Sequence, residues 1–304
     1  MVAGKGGVGK TTLTAALARA AADAGRSVLV VSVDGRPGLG ELLGGPTLDY
    51  DPVILSPATD VRGQISGRVI RAEAALLDYL DEHGMGRIAK RFLATGAVDV
   101  LATTTPGIRD LLVLGKVKQL EQQGVADLIL VDAPAAGHAI TFLHSARSLR
   151  EVVTSGRVRH QADDVLALLS DPARCQVVLV TLPEETPVNE VVEVAYELED
   201  RVGIKLGPVV VNGCWPDVIG DRPDVAALVD DAGVTIDAST VSHLAETADR
   251  VAAKLDQQRE QLDRLTATLP LPQVQMPFVF TARLTPDHLG ELATTLRTEP
   301  VTTT

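Results

Sequence analysis

The sequence predicts an α/β fold with a doubly wound, mainly parallel sheet, and two observations carry this prediction. One is a glycine-rich loop near the start of the chain that leads directly into a helical pattern. The other is a set of four apolar, valine-rich runs, each followed by turn residues and then a helical pattern. Strands that alternate with helices connect by right-handed crossovers, which place the strands parallel in one sheet.

The regular elements follow from local patterns. Apolar residues at helical spacing over residues 10–24, followed by Gly25, predict the first helix. The valine-rich runs suit strands that are buried on both faces, as in a sheet covered by helices. These runs are residues 27–33, 127–133, 176–182 and 208–213.

Two segments interrupt this alternation, residues 69–122 and 222–265, because both have helical periodicity without a clear strand. In the second segment, apolar residues from Val241 to Leu265 follow steps of three and four, broken at Gln258. This spacing predicts a long amphipathic helix. A helix packed on the domain with a solvated outer face is the simpler interpretation, and a partner-binding coil is the alternative.

Length and composition favour one elaborated domain. The 304 residues, 45 % of them apolar and 3 % aromatic, suit a three-layer α/β fold with insertions. We expect a single domain over residues 1–298, in which the two helical segments form an inserted α-helical subdomain. The tail, residues 299–304, is expected to be disordered.

Charge and cysteine content narrow the class of function. The net charge of −12 argues against a broad nucleic-acid-binding surface, which needs clustered lysine and arginine. Cys175 and Cys214 are the only cysteines, and they form no CxxC pair, which favours buried thiols in a reducing compartment. Without a bilayer-length apolar run or a signal peptide, the chain is expected to be soluble and cytoplasmic.

Residues 4–11, GKGGVGKT, match the phosphate-binding motif GxxxxGK[ST] and are followed at once by a helix. Glycines let the backbone N–H groups wrap around phosphate oxygens, and the helix N-terminus adds partial positive charge. Lys10 should reach the β- and γ-phosphates, and the Thr11 hydroxyl should bind Mg²⁺. The sequence therefore predicts a P-loop NTPase that binds a nucleoside triphosphate and Mg²⁺. The expected phosphate contacts are Gly6, Gly7, Val8, Gly9, Lys10, Thr11 and Thr12.

Only Met1, Val2 and Ala3 precede the loop, which is short for the strand that normally carries it. We expect that Met1 is a late start assignment or a trimmed end, and that a few apolar residues upstream would complete the central strand. Without them, the strand would be a stub that lacks part of its ladder of hydrogen bonds.

A second lysine, Lys5, follows the first glycine of the loop and is not needed to cradle the phosphates. Its sequence, KGGVGKT, resembles the deviant P-loop of dimeric ATPases. In those proteins the outer lysine crosses to the nucleotide of the facing subunit, where it neutralises charge on the transferring phosphoryl group. The resemblance implies a catalytic role in trans for Lys5, and a solvated surface charge is the alternative.

Further motifs resemble those of the ArsA-type ATPases, a family that includes the arsenite-pump ATPase and the targeting factor for tail-anchored membrane proteins. Asp34 matches the first-switch aspartate, which implies a catalytic role in orienting or deprotonating the attacking water, although residues 35–38 depart from the family pattern. Residues 132–138, DAPAAGH, resemble the second switch. Asp132 is thereby implied to hold Mg²⁺ through a water, and Ala136 replaces a threonine.

The resemblance also implies contacts to the base. Asn212 matches the asparagine that reads adenine, and an amide can pair with a purine edge. Pro277 and Phe278 lie where the family's late loop packs on the base, although a plain loop after a strand is the alternative. Residues 106–110, PGIRD, resemble a segment that opens a helix beside the family's ligand-binding region.

Taken as a whole, the resemblance implies a dimeric, Mg²⁺-dependent ATPase whose nucleotide state controls a helical client-binding surface. Arsenite capture uses three cysteines, and this chain has two, so we do not expect a metalloid site within one subunit. With only three methionines, a wide groove for a transmembrane helix is not expected either. A membrane-protein, lipid or peptide client stays open. The alternatives are a low-turnover subunit that partners a paralogous ATPase, and a partitioning or division-site ATPase.

Overall fold

A computed structural model describes residues 1–33, 35, 38–82, 84–87, 107–218 and 224–298. Within the described residues, eight strands form one sheet. They are β1 (Val2–Gly4), β2 (Val28–Ser32), β3 (Val53–Ser56), β4 (Ile65–Val69), β5 (Leu128–Ala135), β6 (Val177–Thr181), β7 (Leu206–Cys214) and β8 (Gln273–Pro277). The predicted strands correspond to β2, β5, β6 and β7.

The strand order is β3-β4-β2-β5-β1-β6-β7-β8. Every neighbouring pair is parallel except β3 with β4, which is antiparallel. Because β1 lies in the middle and successive strands are added on both sides of it, the sheet is doubly wound. The predicted fold class is confirmed.

Helices flank the sheet on both faces, and the described residues contain ten α-helices. They are α1 (Lys10–Asp23), α2 (Leu39–Leu42), α3 (Ala72–Glu82), α4 (Ile108–Gln122), α5 (Ala136–Val152), α6 (Arg157–Leu169), α7 (Glu185–Glu197), α8 (Val225–Asp231), α9 (Ala238–Thr268) and α10 (Pro286–Thr298). A π-helical turn, Leu198–Val202, continues α7. No helix in the described ranges combines the length and the apolar character needed to cross a lipid bilayer.

The sheet separates two hydrophobic cores, and β2 shows how one strand supplies both. Val28 and Val30 pack in the core with α1 and α10, whereas Leu29 and Val31 pack in the core with α4, α5, α6 and α7. Successive side chains of a strand point to opposite faces, so an unbroken apolar run is what a strand covered on both sides requires.

The predicted long helix is α9, but its apolar seam is buried only in the second half. Ala252, Leu255 and Leu265 are buried, whereas Leu244 in the first half is 45 % exposed. Gln258, the polar residue at which the apolar seam is broken, is nevertheless buried, and its side chain bonds to the backbone of Trp215.

The two helical insertions pack on different neighbours. Helix α4 contacts α3, α5 and α6, whereas α9 contacts α7 and α8. Their union in one subdomain stays a prediction.

Strand β1 is only three residues long and is flanked by β5 and β6, with Val2 level with Asp132 and Val178. The Met1 ammonium group donates to the carbonyl oxygen of Gln176 at 2.7 Å. A cavity of about 540 Å³ adjoins Met1 between residues 128–131 of β5 and the start of β6, with α1 on one side and α4 on the other. We call it the β1 slot, because it continues the path of β1 between its two neighbours.

Candidate functional site

The glycine-rich loop joins β1 to α1 at the carboxyl edge of the sheet, where doubly wound folds bind their ligands. Gly7 and Gly9 have φ angles of 89° and 94°, which favour glycine. A Cβ atom on Gly9 would lie 2.2 Å from Nδ2 of Asn212, and one on Gly4 would lie 2.5 Å from the carbonyl oxygen of Val180. Backbone conformation and close packing therefore both require glycine in this loop.

Three of the predicted site residues meet at the start of α1. Lys10 is buried, and its Nζ donates to the carbonyl oxygen of Lys5 at 3.0 Å, so the side chain curls back over the loop. The Thr11 hydroxyl donates to Oδ2 of Asp132 at 2.8 Å. A cavity of about 220 Å³ adjoins them. Its lining residues are Gly7, Gly9, Lys10, Thr11, Thr12, Ser32, Asp132 and Ala133.

This cavity suits phosphate and Mg²⁺. A Cβ atom on Gly6 or Gly7 would meet no atom within 4 Å, so the loop backbone is open on that side to an incoming anion. The hydroxyl of Thr11 and the carboxylate of Asp132 are hard oxygen ligands of the kind that Mg²⁺ prefers. The donor set and the open loop thus fit a Mg²⁺-bound triphosphate.

Lys5 points away from this cavity toward α7. Its ammonium group forms an ion pair with the carboxylate of Glu190, and the Lys5 side chain is 54 % exposed. The contact lies within one subunit. The role of Lys5 in a facing subunit stays a prediction.

Asn212 lies at the carboxyl end of β7 and contacts the loop directly. Its Nδ2 donates to the carbonyl oxygen of Val8 at 2.9 Å, so in this structure the amide supports the loop. The backbone N–H of Phe278 donates to Cys214 at 2.8 Å, and Pro277 is level with Cys214, which places both next to the end of β7. The adenine contacts of Asn212, Pro277 and Phe278 stay predictions.

Aromatic side chains cluster beside Asn212. The ring centroids of Phe278 and Phe280 are 4.8 Å apart, and those of Trp215 and Phe280 are 5.3 Å apart. Phe280 is 65 % exposed, which is unusual for a large apolar ring in a chain with so few aromatic residues. The cluster gives this edge of the site an apolar surface.

A second cavity, of about 540 Å³, lies between the start of α4 and the segment after β5, and it is lined by Arg71, Arg109, Asp110 and His138 among others. Burial raises the pKa of Asp110, while the charges of Arg109 and His138 oppose that shift. Arg109 also pairs with Glu73 at 2.7 Å. The segment that includes residues 107–110 therefore lies beside the predicted second switch.

Some predicted residues cannot be placed. Asp34 and Pro106 lie outside the described residues, and nothing is described of the side chains of residues 135–137, which include Ala136.

Residues that the sequence interpretation missed also contribute to the site. Ser32 ends β2 and lines the phosphate cavity, and its position at the end of a predicted strand was a usable signal. Glu190, Trp215 and Phe280 carried no signal of their own, because their contacts join segments that are distant in sequence or lie beyond any motif.

Comparisons with known proteins agree with this geometry. The model of a family described as anion-transporting ATPase, ArsA_ATPase, matches residues 1–161. ATPase BagA of Mycobacterium tuberculosis is 37 % identical over 219 residues, which is 70 % of this chain and 64 % of that protein. An arsenical pump-driving ATPase of Escherichia coli is 28 % identical over 213 residues, 70 % of this chain and 34 % of that protein. The match to these relatives thus spans less than two thirds of their own length.

Proposed function

Because the chain belongs to the ArsA-type family of anion-transporting ATPases, we propose that it binds and hydrolyses Mg²⁺-bound ATP as a dimeric, nucleotide-controlled switch. The single observation that carries the proposal is the meeting of Lys10, Thr11 and Asp132 at an open glycine loop. A cation, a hydroxyl and a carboxylate at a helix N-terminus form the set of groups that binds a metal-bound triphosphate. An ATP-dependent role also supports a cytoplasmic location.

The residues of the site have distinct tasks in this proposal. The loop N–H groups and Lys10 bind phosphate oxygens, and Thr11 and Asp132 hold Mg²⁺ directly and through water. Mg²⁺, when bound, would supply positive charge that offsets the negative charge of the phosphates. Asp34 orients the attacking water, and Lys5 neutralises charge at the partner's nucleotide.

Hydrolysis changes the contacts at the carboxyl edge of β5, where Asp132 lies. Helix α5 follows β5 directly and packs on α4 and α6. Loss of the γ-phosphate contact would therefore act on the helices that cover one face of the sheet. A membrane protein, lipid or peptide that binds these helices would be the client.

Two measurements on the purified chain test the proposal. ATP hydrolysis is measured for the wild type and for Lys10→Ala, with the expectation that the variant loses at least 100-fold in rate because the phosphate charge is no longer matched, about 3 kcal/mol. Native mass measurement with a non-hydrolysable ATP analogue should show a dimer. Absence of both hydrolysis and a dimer would refute the proposal.

A second candidate is a nucleotide-binding subunit with little turnover that pairs with a paralogous ATPase. The observation in its favour is Ala136, which lacks the hydroxyl of the residue that it replaces in the second switch. In this case the chain alone should bind ATP but hydrolyse it slowly, and a mixture with the paralogue should dimerise and turn over faster. Robust activity of the chain alone would exclude this candidate.

A further inference from the structure

We propose that Glu190 of α7 is a positioning residue for Lys5, which it holds within its own subunit in competition with the triphosphate of the facing subunit. The inference rests on the proposed dimeric ATPase. The inference assigns a role to Glu190, which belongs to no motif. It also explains why Lys5 of a single subunit is not free to contact a second subunit.

The contact itself is direct. The Lys5 ammonium group pairs with Oε1 of Glu190, across 185 positions of sequence. Helix α7 starts four residues after the end of β6, which is a neighbour of β1 in the sheet, so the first turns of α7 lie beside the loop that follows β1. The Glu190 side chain is 24 % exposed and that of Lys5 is 54 % exposed, so the pair lies at the surface and can separate.

The two partners of Lys5 are chemically alike. A carboxylate and a phosphate both present anionic oxygens to an ammonium group, which is a compact charge with three donors on a flexible stem. Lys5 cannot remain on Glu190 in its own subunit and also reach a nucleotide bound across an interface. Formation of the active dimer must therefore exchange one oxygen partner for the other.

The strength of the pair sets the size of the effect. Half-exposed ion pairs shift equilibria by about two- to fivefold. Glu190 is thus expected to raise the dissociation constant of the nucleotide-dependent dimer by about that factor. This raises the protein concentration needed for dimerisation but does not prevent ATP hydrolysis.

The position of Glu190 also connects the loop to α9. The adjacent residue, Asn189, accepts a hydrogen bond from Arg264 of α9, and Glu184, which precedes α7, pairs with Lys254 of α9 at 3.1 Å. Release of Lys5 therefore leaves the Glu190 carboxylate without its counter-ion on a helix that is tied to α9.

The first experiment tests the ion pair in nucleotide-free protein. Lys5 is labelled with an amine-reactive ester, and its labelling rate is measured by mass spectrometry in the wild type, Glu190→Gln and Glu193→Gln. Glu193 is an exposed carboxylate on the same helix, so its variant matches the loss of charge without removing the contact. We expect Glu190→Gln to raise the labelling rate of Lys5 about two- to fivefold and Glu193→Gln to leave it unchanged.

The second experiment tests the competition. The dimer dissociation constant with a non-hydrolysable ATP analogue is measured by sedimentation for the same variants and for Glu190→Asp, Lys5→Ala and Lys5→Ala/Glu190→Gln. Glu190→Gln should tighten the dimer about two- to fivefold, and Glu190→Asp should behave more like the wild type. The double variant should match Lys5→Ala, because Glu190 acts only through Lys5.

The outcomes separate the two proposals. Unchanged labelling in Glu190→Gln overturns the ion pair, whatever the dimer does. Raised labelling with an unchanged or weaker dimer overturns the competition. A wild type that does not dimerise overturns the proposed function and the competition with it, even where labelling supports the ion pair. If the double variant forms a tighter dimer than Lys5→Ala, Glu190 acts by a route other than Lys5, and the positioning role is overturned.

Discussion

The hydrogen bond from Thr11 to Asp132 is the most specific feature of the site at the scale of single residues. The Thr11 hydroxyl donates to a carboxylate, and Thr11 lines the cavity at the start of α1. Serine keeps this hydroxyl, whereas valine keeps the shape of the side chain but loses the hydroxyl. We expect Thr11→Val to need at least about 10- to 100-fold more Mg²⁺ for ATP hydrolysis, because loss of a group that only supports a metal ligand already costs this much. A Mg²⁺ titration of the rate measures this. Thr11→Ser is the control, and an equal loss in both variants would contradict the role of the hydroxyl.

Asn212 offers a test between supporting the loop and reading the base. In Asn212→Asp a carboxylate replaces the amide that donates to the Val8 carbonyl, so two acceptors face each other at about the present 2.9 Å. We expect ATP and GTP binding to weaken alike, about 5- to 100-fold, since a buried acceptor left unpaired costs about 1–3 kcal/mol. Fluorescent analogues of both nucleotides give the comparison. A loss confined to ATP would show that base reading dominates.

The loop residues that line the cavity at the start of α1 could be identified from the sequence, because the glycine-rich motif fixes residue types at adjacent positions. Glu190 could not, since a glutamate on a helical surface looks the same whether it meets solvent or Lys5. Gln258 is a related case. Its polar side chain breaks an apolar seam in the sequence, and only the fold shows the backbone that it satisfies.

At the scale of elements, Gln258 links α9 to the end of β7. Its Oε1 accepts from the backbone N–H of Trp215 at 2.8 Å, and its Nε2 donates to the carbonyl oxygen of the same residue at 3.1 Å. Gln258→Leu would complete the apolar seam of α9 but leave both backbone groups without these partners. We expect the variant to lower the free energy of unfolding by about 1–3 kcal/mol.

Chemical denaturation monitored by circular dichroism measures this change. Gln257→Leu is the matched control, because Gln257 is exposed on the same helix and its replacement adds the same side chain. If Gln258→Leu proved more stable than the wild type, burial of the leucine would stabilise the fold more than the two hydrogen bonds to Trp215 do, and the prediction would be wrong.

The elements that the sequence revealed are those with one strong pattern. Strands β2, β5, β6 and β7 are valine-rich runs covered on both faces, so their residues alone identify them. Strand β3 is the edge strand, and its Ile54 is 56 % exposed, so it needs fewer apolar residues and its pattern is weak. Strand β4 is paired on both sides and largely buried, but Ser66, Gly67 and Arg68 interrupt its apolar pattern. No strand is predicted from the sequence at β8, which lies at the other edge; only its last residue, Pro277, and Phe278 are assigned, to a loop.

At the scale of the whole molecule, the fold class followed from the order of the patterns rather than from any one of them. Alternating strands and helices permit few topologies once crossovers are right-handed, which is why the parallel sheet could be predicted. The division of the helices between two cores depends on which face each helix covers. Contacts between distant segments decide that, and they carry no local signal.

The β1 slot leads to a prediction about global stability. The slot is lined by residues 128–131 of β5, which precede Asp132, the residue that lies level with Val2. Three β-branched residues added ahead of Met1 are expected to pair there and to bury apolar surface. We expect a gain of about 1–3 kcal/mol, or a melting temperature higher by about 2–6 °C.

Differential scanning calorimetry measures the shift. An extension of three residues of aspartate and glycine is the control, since it has the same length but neither strand propensity nor apolar surface. Equal melting temperatures for the two extensions would show that the slot does not accept a strand.

The β1 slot also bears on the choice of the end of the chain to which a purification tag is joined. A purification tag joined to Met1 would start at the mouth of this cavity between β5 and β6, a few residues from the glycine-rich loop. A tag that follows α10 starts beyond Thr298, which is exposed. Nucleotide affinities measured with the two tags should differ, and the tag at the carboxyl end is the one to use when the loop is studied.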